Sequence, residues 1–557
     1  MLSRCTLPFL GALLLAASLT SCAAGEGTDW AGQELAEVDC AAPVELPSAT
    51  LLGRRDGTAC AYKGVRYAKP PLGSLRFQPP QPLGEHQGTV LARSYGPDCV
   101  QTPVFQDVPV GEDCLFLNVW IPGESADGSR LEELPVMVFF YGGGFTMGGG
   151  SWAFYNGERF TTHGVILVTV NYRLGPLGYL APSAVTDAEG VRLEGNLGLR
   201  DQIASLQWVQ DNIAGLGGDP KRVTIFGESA GAWSVCALIG SAETKGLIHR
   251  AIMQSGECGM GDRDEIAGKA DAWIAQTGCP ATGTAALDCL RKLDAATLPE
   301  DYGYSMGGGM YPTVDGKVLP EQPLDRIKSG AVSHIALITG YNREETNALR
   351  IMPAHSGRIQ MSFPEFWAGM EDVLKAPQVT KLRNLYANKT YSDPMALATE
   401  ILNDLVFVCP SVDAVAAQAS QGGGAWHYRF SVGDDETVLE PYTGSFHGLE
   451  IPYVFGNTKG LVFLYSDTDK WAHMNGMVER IQRYWTRFAA TGDPNGGDDP
   501  RWPGFGERRS RMDLSIEASV MREENQERCA FWEKNAPLAV GDRFDYIEKL
   551  IGFHPIR

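Results

Sequence analysis

Histidine is scarce, nine in 557 residues, and there is no Cys-x-x-Cys pair or Cys/His cluster, which removes the common ligand sets for zinc and points to no metal. Positive charge is short as well. With 47 Lys and Arg against 67 Asp and Glu, the formal charge of −20 repels nucleic acid and anionic lipid surfaces, and reads as a solvated acidic exterior. Beyond residue 50 there is no internal repeat and no long low-complexity stretch, so solenoid and disordered architectures are excluded. What is present is globular: 44% hydrophobic and 20% charged residues give ample material for a core.

The N-terminus reads as a targeting segment. Arg4 precedes an Ala/Leu-rich stretch from Leu7 to Leu19, too short to span a bilayer and laid out like a secretory signal. It ends in LTSC, residues 19–22, which resembles the lipobox of bacterial lipoproteins. That reading makes residues 1–21 a signal peptide, Cys22 the lipidated new N-terminus, and the small, acidic residues 22–46 a tether to a body over 47–557. The chain is then exported and membrane-anchored on the periplasmic or cell-surface side, touching membrane only through that lipid. Cleavage after Ala23 or Ala24, giving a secreted chain, is the alternative. Without Cys5 and Cys22 ten cysteines remain, an even number that suits disulfides in an exported protein. Spacing leaves their connectivity open.

The body alternates buried strands with helices. Apolar runs at 134–141, 164–172, 222–227, 250–256 and 335–341 are rich in Val and Ile on both faces, which predicts central parallel strands. Between the second and third, Leu199, Ile203, Leu206, Val209 and Ile213 recur at helical spacing. A second amphipathic helix carries Met477, Ile481, Trp485 and Phe488. Strand, helix, strand in succession predicts an α/β fold with a large, mostly parallel sheet.

Chemistry concentrates in "FGESAGAWSV", 226–235, where Ser229 stands between Gly227 and Gly231 directly after an apolar strand. A serine at a sharp strand-to-helix corner needs small residues on either side and exposes its hydroxyl, while the N–H of Ala230 opens a helix and can face a developing negative charge. A second glycine run, Gly142 to Gly144 in "FFYGGGFTMGGG", ends another buried strand and offers bare backbone N–H groups at the edge where open α/β sheets bind ligands. Serine needs a base, and the base needs an orienting acid. His86, His163, His249, His334 and His355 read as surface residues and His427, in "AWHYRFS", as a packed strand residue. His447 in "GSFHGLEIPYVFG" has the small neighbours of a positioned loop base, and Glu344 and Glu345 follow a buried strand in "TGYNREETN".

Taken together, "GESAGAWSV", "EDCLFLNVW", "NYRLGPLGYL", "GNLGLRDQ" and "HGLEIPYVFG" resemble the signatures of the type-B carboxylesterase family, which includes para-nitrobenzyl esterases and cholinesterases, over residues 45–550. The resemblance implies a single-domain α/β-hydrolase that cleaves carboxylic esters without a metal or organic cofactor. It implies Ser229 as nucleophile, His447 as base and Glu345 as the orienting acid, with Glu344 the alternative because the usual Asp-Glu-Gly is Glu344-Glu345-Thr346 here. Gly143, Gly144 and Ala230 resemble the oxyanion-hole donors, Glu228 a structural hydrogen-bonding partner and Ser255 a buried support. Cys99–Cys114, Cys279–Cys289 and Cys409–Cys529 resemble the family's bridges, leaving Cys40–Cys60 and Cys236–Cys258. In cholinesterases the loop corresponding to Cys99–Cys114 holds a tryptophan for quaternary ammonium, and this loop has none, so neutral short to medium esters are the expected substrates. Phe105, Phe145, Trp233 and Tyr311 are candidates for the pocket or for the core. A specialised natural-product ester or lactone hydrolase, a transacylase or peptidase, and a non-catalytic adhesion protein are the competing readings. Oligomeric state is not encoded in any of these motifs.

Overall fold

The five apolar runs become the middle of one eleven-stranded sheet, because strands apolar on both faces are stable only where neighbours flank them and helices cover them. The computed structural model describes residues 40–102, 108–123, 131–298, 310–347, 362–432, 444–458, 468–506, 508–523 and 525–536. The sheet strands are β1 (Arg54–Asp56), β2 (Ala59–Arg66), β3 (Phe116–Ile121), β4 (Leu134–Phe140), β5 (Ile166–Val170), β6 (Gly218–Glu228), β7 (Arg250–Gln254), β8 (Ala336–Asn342), β9 (Ala425–Phe430), β10 (Ser510–Leu514) and β11 (Ser519–Arg522). Across the sheet they run β11-β10-β9-β8-β7-β6-β4-β5-β3-β2-β1. The stretch from β10 to β5 is parallel throughout. Strands β1, β2, β3 and β11 add antiparallel edges.

Because β5 lies on one side of β4 and β6 on the other, the chain reverses its direction of winding at β4. The carboxyl ends of β4 and β6 therefore border the crevice in which open α/β sheets hold ligands. Helix α1 (Leu197–Asn212) buries Leu199, Leu206 and Val209, with Ile203 half-buried. Every residue of α2 (Ala230–Gly240) is buried. Two further helices, α3 (Pro394–Asn403) and α4 (Cys409–Ser420), are joined by a π-helical turn over Asp404–Val408 and pack in a second apolar cluster with Phe531 and Trp532. Among the described residues this run, 394–420, is the segment long and apolar enough to cross a membrane, yet 78% of its apolar window is buried in the fold. Helix α5 (Thr468–Thr491) buries Met477, Ile481, Trp485 and Phe488.

The start of the body differs from the sequence reading. Residues 40–46, assigned there to the tether, are part of the fold: Cys40, Val44 and Leu46 are 3%, 6% and 4% exposed, and Val44–Glu45 pairs with Thr50–Leu51. A stretch of small and acidic residues hides this, since two apolar side chains and one bridge suffice to dock it. Residues 1–39, including Cys22, lie outside the described residues. Among the described residues, five disulfides link Cys40–Cys60, Cys99–Cys114, Cys236–Cys258, Cys279–Cys289 and Cys409–Cys529. The third ties α2 to the segment after β7.

Candidate active site

Strand β6 ends at Glu228 and α2 begins at Ala230, which leaves Ser229 alone at the corner with φ 56° and ψ −125°. A non-glycine residue in that region is strained, and such strain persists only where the surroundings over-determine it. Here Ser229 N–H donates to Gln254 C=O at 2.9 Å, while its own C=O accepts from Ala232 and Trp233 N–H at 2.8 and 3.0 Å. The flanking glycines are required by close backbone approach. A Cβ at Gly231 would lie 1.9 Å from Phe140 O, and one at Gly227 would lie 2.5 Å from the Gly231 backbone.

The glycine loop after β4 meets this corner directly. A Cβ at Gly142 would stand 2.9 Å from Ser229 Cβ and 2.6 Å from Glu228 Oε2. Gly143 and Gly144 follow with φ of 109° and 61°, and the turn closes through Thr146 and Met147 N–H donating to Gly143 C=O. Ala230 supplies the first N–H of the eleven-residue helix that follows Ser229.

Glu345 follows β8 and His447 lies in the loop after β9, both at the same sheet edge. His447 Nδ1 and Glu345 Oε2 are 2.7 Å apart, and His447 N–H donates to Glu345 C=O. The other Glu345 oxygen accepts from Asn342 N–H at 2.7 Å, so the carboxylate is fully engaged. Glu344 has a different task. Its Oε2 accepts from Ser445 N–H at 2.8 Å and it pairs with Arg343, pinning the loop that carries His447.

His447 Nε2 lies 3.2 Å from Glu228 Oε1, and among the described residues no hydrogen bond joins it to Ser229 Oγ. Glu228 therefore contacts the imidazole as well as shaping the corner. Burial opposes the imidazolium, but Glu228 and Glu345 outweigh it and raise the His447 pKa to about 9. Burial pushes Glu228 upward, His447 draws it back, and Glu450 and Glu345 add to the rise. Glu450, also buried, is raised by burial and by Glu345.

Several of these groups did not stand out in sequence. Glu450 bonds Asn342 Nδ2 at 2.6 Å and Gln254 Nε2 at 3.3 Å, tying β7, β8 and the histidine loop together. Its one signal was its place three residues after His447. Phe407, on the π-helical turn, packs its ring 4.7 Å from that of His447. Phe145, Trp233 and Tyr311 are 1%, 4% and 3% exposed and belong to the main core, whereas Phe105 lies outside the described residues. His163 and His249 are half-buried, not surface residues, with pKa values lowered by burial. His355 lies outside the described residues.

His427 stands in a second Ser–His–Glu arrangement, with Ser411 Oγ at 3.2 Å from Nε2 and Glu523 Oε2 at 3.7 Å from Nδ1. All three are sealed from solvent, burial drives His427 down to about 3, and Glu523 is held by Arg511. Residue types alone do not make a catalytic site. A narrow recess lined by Arg76, Phe77, Glu112 and Leu177 behind the Cys99–Cys114 bridge contains none of the serine-corner residues.

The carboxylesterase family model matches residues 41–532. A para-nitrobenzyl esterase of Bacillus subtilis (strain 168) is 34% identical over 481 residues, covering 84% of this chain and 93% of its own length. A cholinesterase of Mus musculus is 32% identical, covering 86% of this chain and 83% of its own length. Among solved structures, a PNB esterase superposes with a TM-score of 0.73 at 33% identity, covering 88% of this chain and all of that one.

Proposed function

The chain belongs to the carboxylesterase family and is a carboxylic ester hydrolase, and from that premise we propose that it works through a serine acyl-enzyme. Ser229 Oγ attacks the ester carbonyl carbon as its proton passes to His447 Nε2. The resulting imidazolium is stabilised by Glu345 at Nδ1. The tetrahedral oxyanion takes hydrogen bonds from the N–H groups of Gly143, Gly144 and Ala230, each worth about 3 kcal/mol of barrier. Collapse expels the alcohol, which takes the proton from His447. Water then enters and attacks the acyl carbon as it gives a proton to His447; collapse breaks the bond to Ser229 Oγ, which takes that proton back from His447, and the acid leaves.

The observation that carries this reading is Ser229 in a left-handed corner against Gly142, with the His447–Glu345 pair at the same sheet edge. Glu228 Oε1 lies 3.2 Å from Nε2 but makes no hydrogen bond to it, and among the described residues neither does Ser229 Oγ. Catalytic hydrogen bonds in empty sites are often long and tighten when substrate binds, so Ser229 Oγ competes for Nε2 once the carbonyl is in place.

For substrate, short to medium neutral esters are favoured, because the Cys99–Cys114 loop lacks a tryptophan to hold a quaternary ammonium. The five disulfides fit a chain that folds outside the reducing cytoplasm. Residues 1–21 then serve as the signal peptide and Cys22 as the lipid anchor, with the segment before Cys40 as tether. The test is hydrolysis of para-nitrophenyl esters from acetate to palmitate by the purified mature protein and by Ser229→Ala. Turnover by the wild type alone, falling with acyl length, is the expected result; full turnover by Ser229→Ala excludes this serine.

A further inference from the structure

The glycine run after β4 has two halves, and the oxyanion donors account only for the first. The second half, Gly148 to Gly150, is packed too closely for side chains and is held by groups from three other segments. A Cβ at Gly148 would lie 2.3 Å from the Tyr141 ring, and its N–H and C=O are both bonded by the Gln101 amide, at 2.8 and 2.7 Å. Gly150 N–H donates to Asn171 Oδ1 at 2.8 Å, and its C=O accepts from Thr169 at 2.8 Å and Asn118 at 3.3 Å. Between them a Cβ at Gly149 would lie 2.3 Å from the carboxyl of Asp98.

Asp98 is fully buried on a two-residue strand, Asp98–Cys99, that pairs with Val110–Gly111 and is fixed by the Cys99–Cys114 bridge. Ser151 Oγ donates to both of its oxygens, at 2.8 and 2.9 Å, and Asn171 Nδ2 stands 3.5 Å from Oδ1. The loop from Gly142 to Met147 is thus held at one end by β4 and at the other by this seam. Gln101, Asn118, Thr169 and Asn171, which bond the seam, are neutral, and the carboxyl packed against Gly149 is that of Asp98.

We propose that Asp98 is a positioning residue for the oxyanion hole, its carboxylate bonding Ser151 and packing closely against Gly149 and so fixing where the Gly143 and Gly144 N–H groups stand. This rests on the serine-esterase reading of the Gly142–Gly144 loop. Ionised, Asp98 accepts from Ser151 and Asn171 together. Protonated, one oxygen becomes a donor and that pairing is lost, so the seam loosens and the donors shift relative to the oxyanion. Burial raises the Asp98 pKa to about 7, against the lowering effect of Ser151, Asn171 and Trp152, which places the change within the working pH range.

Charged groups on the neighbouring elements are committed elsewhere: Glu112 to Arg76, Asp113 to Arg66 and Arg173 to Asp201. Tyr141, at the end of β4, is the titratable side chain that Asp98 acts on, and Tyr172, at the end of β5, stacks on Tyr141. Both are raised by burial, and Asp98 adds to the rise at Tyr141, so neither ionises near neutrality.

The test is the pH profile of kcat and KM for para-nitrophenyl acetate with wild type, Asp98→Asn and Ser151→Ala, together with the affinity of a trifluoromethyl ketone that forms a tetrahedral adduct. Asp98→Asn keeps the shape but removes the ionisation. An oxyanion contact matters in the transition state, so kcat is expected to fall about tenfold with KM within about twofold, the ketone weakening in parallel. The kcat ionisation near neutrality should disappear. If Asp98→Asn does not fold, Ser151→Ala serves: loss of a donor raises the Asp98 pKa, so that ionisation should move to higher pH. Unchanged kcat and pH profiles in a folded variant, or equal losses in ground-state and ketone binding, overturn the proposal. Absence of turnover by the wild type is the separate failure of the esterase reading.

Discussion

Replacing Glu228 by glutamine should move the acid limb of kcat/KM to lower pH. His447 must be neutral to accept the serine proton, so activity falls as pH drops through its pKa. Glu228 Oε1 lies 3.2 Å from Nε2, where a full charge is worth about 5 kcal/mol at an effective dielectric constant of about 20 and about 2.6 kcal/mol at about 40. The imidazole is 22% exposed, which favours the weaker value, and that corresponds to about two pH units. Glu345 stays at 2.7 Å and continues to hold the imidazolium, so the limb should descend from about 9 but not below the range of free imidazole. The assay is kcat/KM for a para-nitrophenyl ester from pH 5 to pH 10, read at the isosbestic wavelength. Relative to its own plateau, Glu228→Gln should be the more active protein below neutrality. An unmoved limb would refute the reasoning, because it would mean that the proton resides on Glu228 and His447 senses a neutral acid; a limb moved upward would refute it outright.

Three other outcomes follow from the geometry. Glu345→Gln should lower kcat about 10,000-fold by disturbing the tautomer and removing the counter-charge, while Glu344→Gln, which keeps an acceptor for Ser445 N–H, should stay within about tenfold of wild type, both read by steady-state kinetics. Gly231→Ala places a methyl 1.9 Å from Phe140 O and should destabilise the fold by about 3 kcal/mol or more, visible as a lowered denaturant midpoint. Replacing both Cys236 and Cys258 by alanine opens a loop spanning 22 residues and should reduce stability by about 3 kcal/mol in the same measurement, with the other four bridges intact.

The layout of the sheet was legible because buried parallel strands must be apolar on both faces, and the runs at 134–141, 164–172, 222–227, 250–256 and 335–341 became β4 to β8. Strand β10, "SRMDL", was not, since its Arg511 and Asp513 are buried as ion pairs that no apolar pattern announces. Ser229 was legible through the steric demand for Gly227 and Gly231. The contact between Glu228 and His447 was not, because it joins side chains more than two hundred residues apart through their rotamers. Glu450 was hidden likewise, its partners Gln254 and Asn342 lying 196 and 108 residues away, and so was Asp98, whose meaning depends on a glycine loop folding over it. Phe145, Trp233 and Tyr311 show the converse problem: an aromatic near a motif reads alike whether it faces substrate or core, and these three face the core.

The most direct test is to trap the reaction on the protein itself. Wild type mixed with a slowly deacylating para-nitrophenyl ester and quenched in acid should gain one acyl group, mapped by peptide mass to Ser229, with a matching burst of para-nitrophenol. The Ser229→Ala protein should show neither. An acyl group on another residue, or turnover with no adduct and no burst under saturating ester, would contradict Ser229 as the nucleophile of this esterase.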